Sequence, residues 1–346
     1  MRFHRPVPAT RTERVTVVVP CYRYGNYLPT AVDSVLQQEG VEVEVIIIDD
    51  ASGDGSAEVA RAIAARDERV RVIEHTVNAG HIASYNEGLR QATGDYVVLL
   101  SADDALVDGS LERAVGLMQR FPTVGMVYGH SEWFVDDLPQ IDGRARSWTT
   151  WSGRRWLASM CRRSVNPVYT PGVVMRRQAW DEIGHYDARV PHAADMLLWY
   201  QTAALWDIGR VNNRAQALYR RHGANMHLTQ FSGMLTDMRE QREVIRIVFD
   251  EPPGGVRLPE HLLVSGYRAL ARRATRLARA ELRETADPAA ASAYLEFAAA
   301  TVEGVPRAEP GRTSRQVDRW LESPHAGFAR RVERHLEWRV WRRYGT

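Results

Sequence analysis

The chain has 346 residues, room for one large domain with extensions or two smaller ones, and its formal net charge of +2 gives no global pull towards nucleic acid. Every basic side chain other than histidine is arginine, which excludes a Schiff-base lysine, a lysine general base or a P-loop lysine. Two cysteines (Cys21, Cys161) suit a reducing compartment, and no signal-peptide core or bilayer-length apolar run is present, so the expected location is the cytoplasm.

From Val15 to about Gly129 apolar strands alternate with helix-spaced segments. VTVVVP (15–20), VEVIIIDD (43–50), VRVIEH (70–75), YVVLL (96–100) and VGMVYG (124–129) read as buried strands. Between them YLPTAVDSVLQQ (27–38), SAEVARAIAARD (56–67), IASYNEGLRQAT (82–93) and SLERAVGLMQRF (110–121) have helical spacing. Strands apolar on both faces and separated by helices predict a doubly wound, mostly parallel sheet. Further on, EWFVDD (132–137) predicts an irregular strand, 139–153 a polar loop, GVVMRR (172–177) a strand and DMLLWYQTAAL (195–205) a helix. IGRVNN and AQALYRRHG (208–223) predict two short strands of a smaller mixed sheet. The rest should be mostly helical, broken at EPPGG (251–255) and around Pro306 and Pro310. The expected division is an arm at 1–13, a domain at 14–230 with halves meeting at 130, and a helical region at 231–346.

Ligands of doubly wound sheets bind beyond the carboxyl ends of the strands. Three such ends here are polar: PCY (20–22), DDASGDGS (49–56) and SADD (101–104). Adjacent carboxylates resist desolvation unless a cation or strong donors hold them. Asp103 and Asp104 therefore form either a solvated turn or one side of a metal site, and sharing a rim with Asp49 and Asp50 favours the metal. Asp50 can accept from a nucleobase N–H or a ribose hydroxyl, and Asp54 fits that role or a helix-capping turn. Asn78 and Gly80 open a helix whose free N–H groups suit an anion or an ordinary cap. Asp195 heads an apolar helix either as a first-turn acid or as a general base. His222 ends a strand and gains a role only if other metal ligands are near. A phospho-receiver domain would need a lysine, and a Rossmann dehydrogenase a G-x-G-x-x-G where PCYRYG stands.

Taken in order over about residues 13–227, VTVVVPCYRYGNYLPTAVDSVLQQ, VIIIDDASGDGS, NAGHIASYNEGLRQATGDYVVLLSADD, TPGVVMRRQAWDEIGHYD, ADMLLWYQTA and YRRHGANM resemble the family 2 glycosyltransferases. The resemblance implies a GT-A fold and an inverting transfer from a nucleoside-diphosphate sugar (UDP-, dTDP- or GDP-linked) to an acceptor hydroxyl of a glycan, glycolipid or natural product. It implies nucleoside contacts from Pro20, Tyr22 and Asp50. Asp103 and Asp104 become the D-x-D-type element holding Mn²⁺ or Mg²⁺ on the diphosphate, His222 a further metal ligand and Asp195 the general base. Ser101 stands where the commoner family form has an acid, which leaves open which of Asp103 and Asp104 meets the metal. The Q-x-x-R-W motif and membrane helices of processive synthases are missing, which favours single transfer. A different expectation is a non-catalytic nucleotide-sugar-binding scaffold, for which a base at Asp195 has no use. The basic stretch 330–345, with Trp338 and Trp341 interleaved, fits a partner or core-packing helix or a peripheral contact at the inner membrane face.

Overall fold

The computed structural model describes residues 1–141, 145–223, 225, 233–284 and 287–303. The chain divides into two compact units, 1–266 and 267–346. The first carries β1 (Arg2–His4), β2 (Arg14–Cys21), α1 (Leu28–Leu36), β3 (Glu42–Asp49), α2 (Ser56–Ala64), β4 (Val70–Glu74), α3 (His81–Arg90), β5 (Tyr96–Leu99), β6 (Ala105–Leu106) and α4 (Ser110–Arg120). It continues with β7 (Val124–Phe134), β8 (Ser147–Trp151), α5 (Gly153–Arg163), β9 (Val174–Arg176), α6 (Arg177–Ile183), α7 (Ala194–Leu205), β10 (Asp207–Arg220) and α8 (Met234–Asp250).

These strands form one ten-stranded sheet in the order β1-β8-β10-β7-β9-β5-β2-β3-β4, with β6 paired to β10. The β5-β2-β3-β4 half is parallel, as predicted from its apolar runs. Val15, Val17 and Val19 of β2 and Val45 and Ile47 of β3 are fully buried on one face, and Val18, Ile46 and Ile48 on the other. Helix α3 lies so close to this layer that a Cβ on Gly88 would stand 2.3 Å from Val18 Cγ1.

The strands expected in a smaller sheet join the parallel half through β9, which pairs antiparallel with both β5 and β7. The two short strands expected at 208–223 are one strand, β10, whose register on β7 shifts between Arg210 and Ala217. Asn213 takes φ 66 there, so an irregularity inside a continuous ladder produces the gap read as a break. The irregular strand at 132–137 is partly the end of β7. Strand β8 lies inside the expected loop at 139–153, held by pairing with β10 and by buried Trp148 and Trp151. Within the expected arm, β1 pairs with β8.

The described part of 231–346 is mostly helical, with α8, α9 (Glu260–Glu284) and α10 (Pro288–Val302), and the link from α8 to α9 includes a short 3-10 turn at Pro253–Gly255. In the second unit Asp287 caps α10, accepting from the N–H groups of Ala289 and Ala290 at 2.9 and 3.0 Å. The expectations around Pro306, Pro310 and 330–345 lie outside the described residues. No described helix is long and apolar enough to cross a membrane.

Candidate active site

Beyond the carboxyl ends of β2, β3 and β5 opens a cavity of about 1040 Å³ within the first unit. Its lining includes Pro20, Tyr22, Asp50, Asn78, Gly80, Asp103, Asp104 and Asp195, so it gathers residues from most of the length of that unit. Both cysteines are buried thiols, Cys21 on the cavity wall and Cys161 in α5.

At the end of β3 Asp49 turns inward and takes hydrogen bonds from Ser52 N (3.2 Å) and Ser52 Oγ (2.6 Å). Asp50 turns towards the cavity and accepts from Ala79 N (2.7 Å), Gly80 N (2.9 Å) and His75 Nδ1 (2.7 Å). Burial pushes its pKa up, but the donors of Ala79, His75 and Gly80 outweigh burial and hold it below the usual carboxylate range. The N–H groups that the sequence suggested for an incoming anion are thus turned on Asp50. Asn78 Nδ2 donates to the Asp50 carbonyl at 3.1 Å. His75 also meets Glu87 Oε2 at 2.9 Å, and these two carboxylates keep it protonated to higher pH against the opposing effect of burial. Asp54 is spent on Ser56, accepting from its N at 3.1 Å and its Oγ at 2.6 Å.

Beyond the end of β5 Asp103 Oδ2 lies 3.0 Å from His222 Nε2 and 3.4 Å from Asn225 Nδ2. Asp104 Oδ1 instead accepts from the backbone N–H of Arg220 at 3.0 Å. Arg220 fastens the whole corner. Its Nε donates to the Asp103 carbonyl (3.1 Å), its Nη1 to the carbonyls of Val135 and Asp136 (both 3.0 Å), and its guanidinium packs over Tyr27 and Phe134. Burial pushes both carboxyls above their usual range, and the charge of Asp103 raises Asp104 further. Among the described residues no three His, Cys, Asp or Glu side chains are placed to hold an ion between them. The structure joins Asp103 to His222 and sets Asp104 beside them on a backbone donor.

Across the cavity α7 presents Asp195. It accepts from Asn166 Nδ2 at 2.8 Å and from its neighbour Met196 N at 2.6 Å, with Thr170 Oγ1 at 3.5 Å. Burial pushes its pKa up to about 6, against the pull of the Met196 and Asn166 donors. The start of α7 is tied down from α8, where Glu240 Oε2 accepts from His192 N (2.8 Å) and Ala193 N (2.9 Å). Asp237 and Gln241 of the same helix reach the cavity wall, and His192 Nε2 stands 3.4 Å from Asp237 Oδ1. Asn166, Asp237, Glu240 and Gln241 escaped the sequence reading because nothing in their local pattern marks them; only tertiary packing brings them to α7.

The model of the family described as glycosyl transferase family 2 matches residues 16–184. An uncharacterised glycosyltransferase of Nostoc sp. is 30% identical over 224 residues, 63% of this chain and 68% of the relative. Glycosyltransferase GlyG of Streptococcus pneumoniae is 32% identical over 124 residues, 35% of this chain and only 41% of the relative. Among solved structures, residues 1–349 of S. aureus TarS in complex with UDP-GlcNAc superpose with a TM-score of 0.61 at 17% identity, over 85% of this chain and 82% of that one. The mannosyltransferase PcManGT of Pyrobaculum calidifontis, in complex with GDP-Man and Mn²⁺, gives 0.56 at 19% identity, over 97% and 85%. These likenesses carry the GT-A fold, and with the relative from Nostoc and the family match they place the chain in glycosyltransferase family 2.

Proposed function

We propose that the chain transfers a sugar from a nucleoside-diphosphate sugar to an acceptor hydroxyl with inversion at the anomeric carbon. One observation carries this reading: a half-buried carboxylate with a pKa of about 6 shares one cavity with a second carboxylate that is paired with an imidazole. TarS and PcManGT, which share the fold, hold UDP-GlcNAc and GDP-Man in their structures, which supports a sugar nucleotide as donor. Asp50, kept ionised and anchored by the backbone, is an acceptor for N–H or O–H groups of the nucleoside; Pro20, Tyr22, Asn78 and Gly80 complete that wall.

The two carboxylates beyond β5 fit a hard divalent ion. Mg²⁺ and Mn²⁺ take oxygen ligands, and Mg²⁺ commonly rests on one or two carboxylates while substrate phosphates and water fill its remaining positions. Asp103 and Asp104 would hold it, with His222 hydrogen-bonded to Asp103 beside them, and the burial of two neighbouring carboxyls is of the kind a cation relieves. Such an ion would neutralise charge building on the departing diphosphate.

At neutral pH a carboxyl with pKa about 6 is roughly nine-tenths ionised yet basic enough to draw a proton. Asp195 takes the hydroxyl proton as the acceptor oxygen bonds to the anomeric carbon. The bond from that carbon to the phosphate oxygen breaks, and its electron pair leaves with the diphosphate. Asn166 holds the carboxylate in place during the exchange. A scaffold protein would bind the same nucleotides without turnover.

The test is a thermal-shift screen of UDP-, dTDP- and GDP-sugars with and without Mn²⁺, on the wild type and on Asp104→Ala. Binding that strengthens with Mn²⁺ and loses that response in Asp104→Ala is expected. Binding unchanged by EDTA would remove the metal assignment.

A further inference from the structure

Beyond the carboxylates, the cavity mouth carries a group of residues that the transfer chemistry does not use. Trp133 of β7 and Tyr219 of β10 are register partners in a parallel pair, so their side chains stand on the same face of the sheet. Both line the cavity, as do Tyr169 and Arg221. The rings form a chain: Trp133 to Tyr169 at 6.4 Å and 76°, then Tyr169 to Tyr219 at 5.7 Å and 55°. Trp133 is 52% exposed and Tyr169 37%, an open aromatic surface on the cavity lining. The Arg221 guanidinium packs 4.8 Å from the Trp133 ring centre. Among the described residues no carboxylate forms an ion pair with Arg221 and no hydrogen bond engages its guanidinium, so its donor fork is fixed by stacking and still available.

The shelf is joined to the proposed base through the backbone. Tyr169 precedes Thr170, whose hydroxyl lies 3.5 Å from Asp195 Oδ2, and Asn166 of the same segment donates to that oxygen at 2.8 Å. The rings and Asp195 line the same cavity, with Tyr169 in the segment that supplies two of the partners of Asp195.

Three occupant chemistries compete for this shelf. A hydrocarbon tail would cover the rings but leave the Arg221 donors without water or an acceptor, which is unfavourable. A small anionic polyol would satisfy Arg221 but has no flat apolar face for the indole. A pyranose does both: the polarised C–H bonds of its face meet the negative face of an aromatic ring, and its hydroxyl rim accepts from a guanidinium. We propose that Trp133, Tyr169 and Arg221 form an acceptor subsite that takes a hexopyranose ring, so that the acceptor is a saccharide. This rests on the transferase reading above.

Saturation-transfer NMR on the full chain tests it, using methyl β-D-glucopyranoside, methyl β-D-galactopyranoside and methyl α-D-mannopyranoside, with glycerol 1-phosphate for comparison. At least one hexoside should receive saturation at its ring C–H protons. Trp133→Ala should weaken its binding about tenfold, Trp133→Phe should preserve it, and Arg221→Gln should weaken it while the ring protons remain saturated. No transfer to any hexoside, or transfer undiminished in a Trp133→Ala protein with wild-type circular dichroism, overturns the proposal. Should Trp133→Ala not fold, Trp133→Phe decides: lost transfer in that folded variant overturns it equally. Titration of the wild type with UDP and GDP is read separately. Failure of both nucleotides to bind would sink the donor reading whatever the hexosides do.

Discussion

Replacing Asp195 by asparagine removes a negative charge that the fold holds at a cost. The carboxyl has a pKa of about 6, against an ordinary value of 3.8. Folding raises this pKa, so the native state binds the proton more tightly than the unfolded chain does. The resulting penalty is absent below about pH 4, grows as pH rises towards 6, and is complete above it. A difference of roughly two pKa units corresponds to about 3 kcal/mol. The substituted amide keeps the shape of the carboxyl and carries no charge, so the stability gained by Asp195→Asn should be small at pH 4 and approach that value at pH 7.5. For a unit of this size 1 kcal/mol shifts the melting point by roughly 2–4 °C, so the gap is easily read in a melting series. In parallel, turnover by the wild type should fall as pH drops through 6, because only the ionised form can take a proton. At pH 7.5 Asp195→Asn should lose about 10²–10⁴-fold in turnover, with donor affinity within about threefold of wild type. A stability gap that stays flat from pH 4 to 8 would mean that the carboxyl is not perturbed, and near-normal turnover in Asp195→Asn would place the base elsewhere.

Two other substitutions probe the donor wall and the packing behind it. Asp50→Ala should weaken nucleoside diphosphate binding in EDTA as well as in Mn²⁺; a defect confined to Mn²⁺ in calorimetric titrations would move Asp50 to the metal. Gly153→Ala puts a Cβ 2.1 Å from the carbonyl oxygens of Ala203 and Trp206, both backbone atoms with little freedom to move. It should cost about 1–3 kcal/mol or more in urea unfolding, and a stability equal to wild type would show that α5 can slide away from α7.

The parallel half of the sheet was legible because β2, β3 and β5 are buried on both faces and so spell unbroken apolar runs. The strand ends followed from them, and with them Asp50, Asp103 and Asp104. Strands β1 and β8 were hidden for the opposite reason: they are short, rich in polar residues or tryptophan, and exist because each has a neighbour to pair with. The break read inside β10 came from Asn212, Asn213 and Arg214, a polar run that the structure carries through as an irregularity in the ladder. Asp195 could be singled out as an acid heading an apolar helix. Its elevated pKa could not, since that depends on burial by segments distant in sequence.

Glu240 has a consequence for how the molecule can be shortened. The helix that presents Asp195 begins at two backbone N–H groups held by a side chain 48 and 47 residues further on. A cut at 230, where the recognisable motifs run out, would strip α8 from the first unit and take Glu240, Asp237 and Gln241 with it. The strands and the cavity wall at Asp50 would remain, but the start of α7 would lose the carboxylate that the N–H groups of His192 and Ala193 share. In this chain the smallest portable transferase therefore extends through α8, and exchanging the segment after the last motif for that of another family member would alter the seat of Asp195 as well as its surroundings.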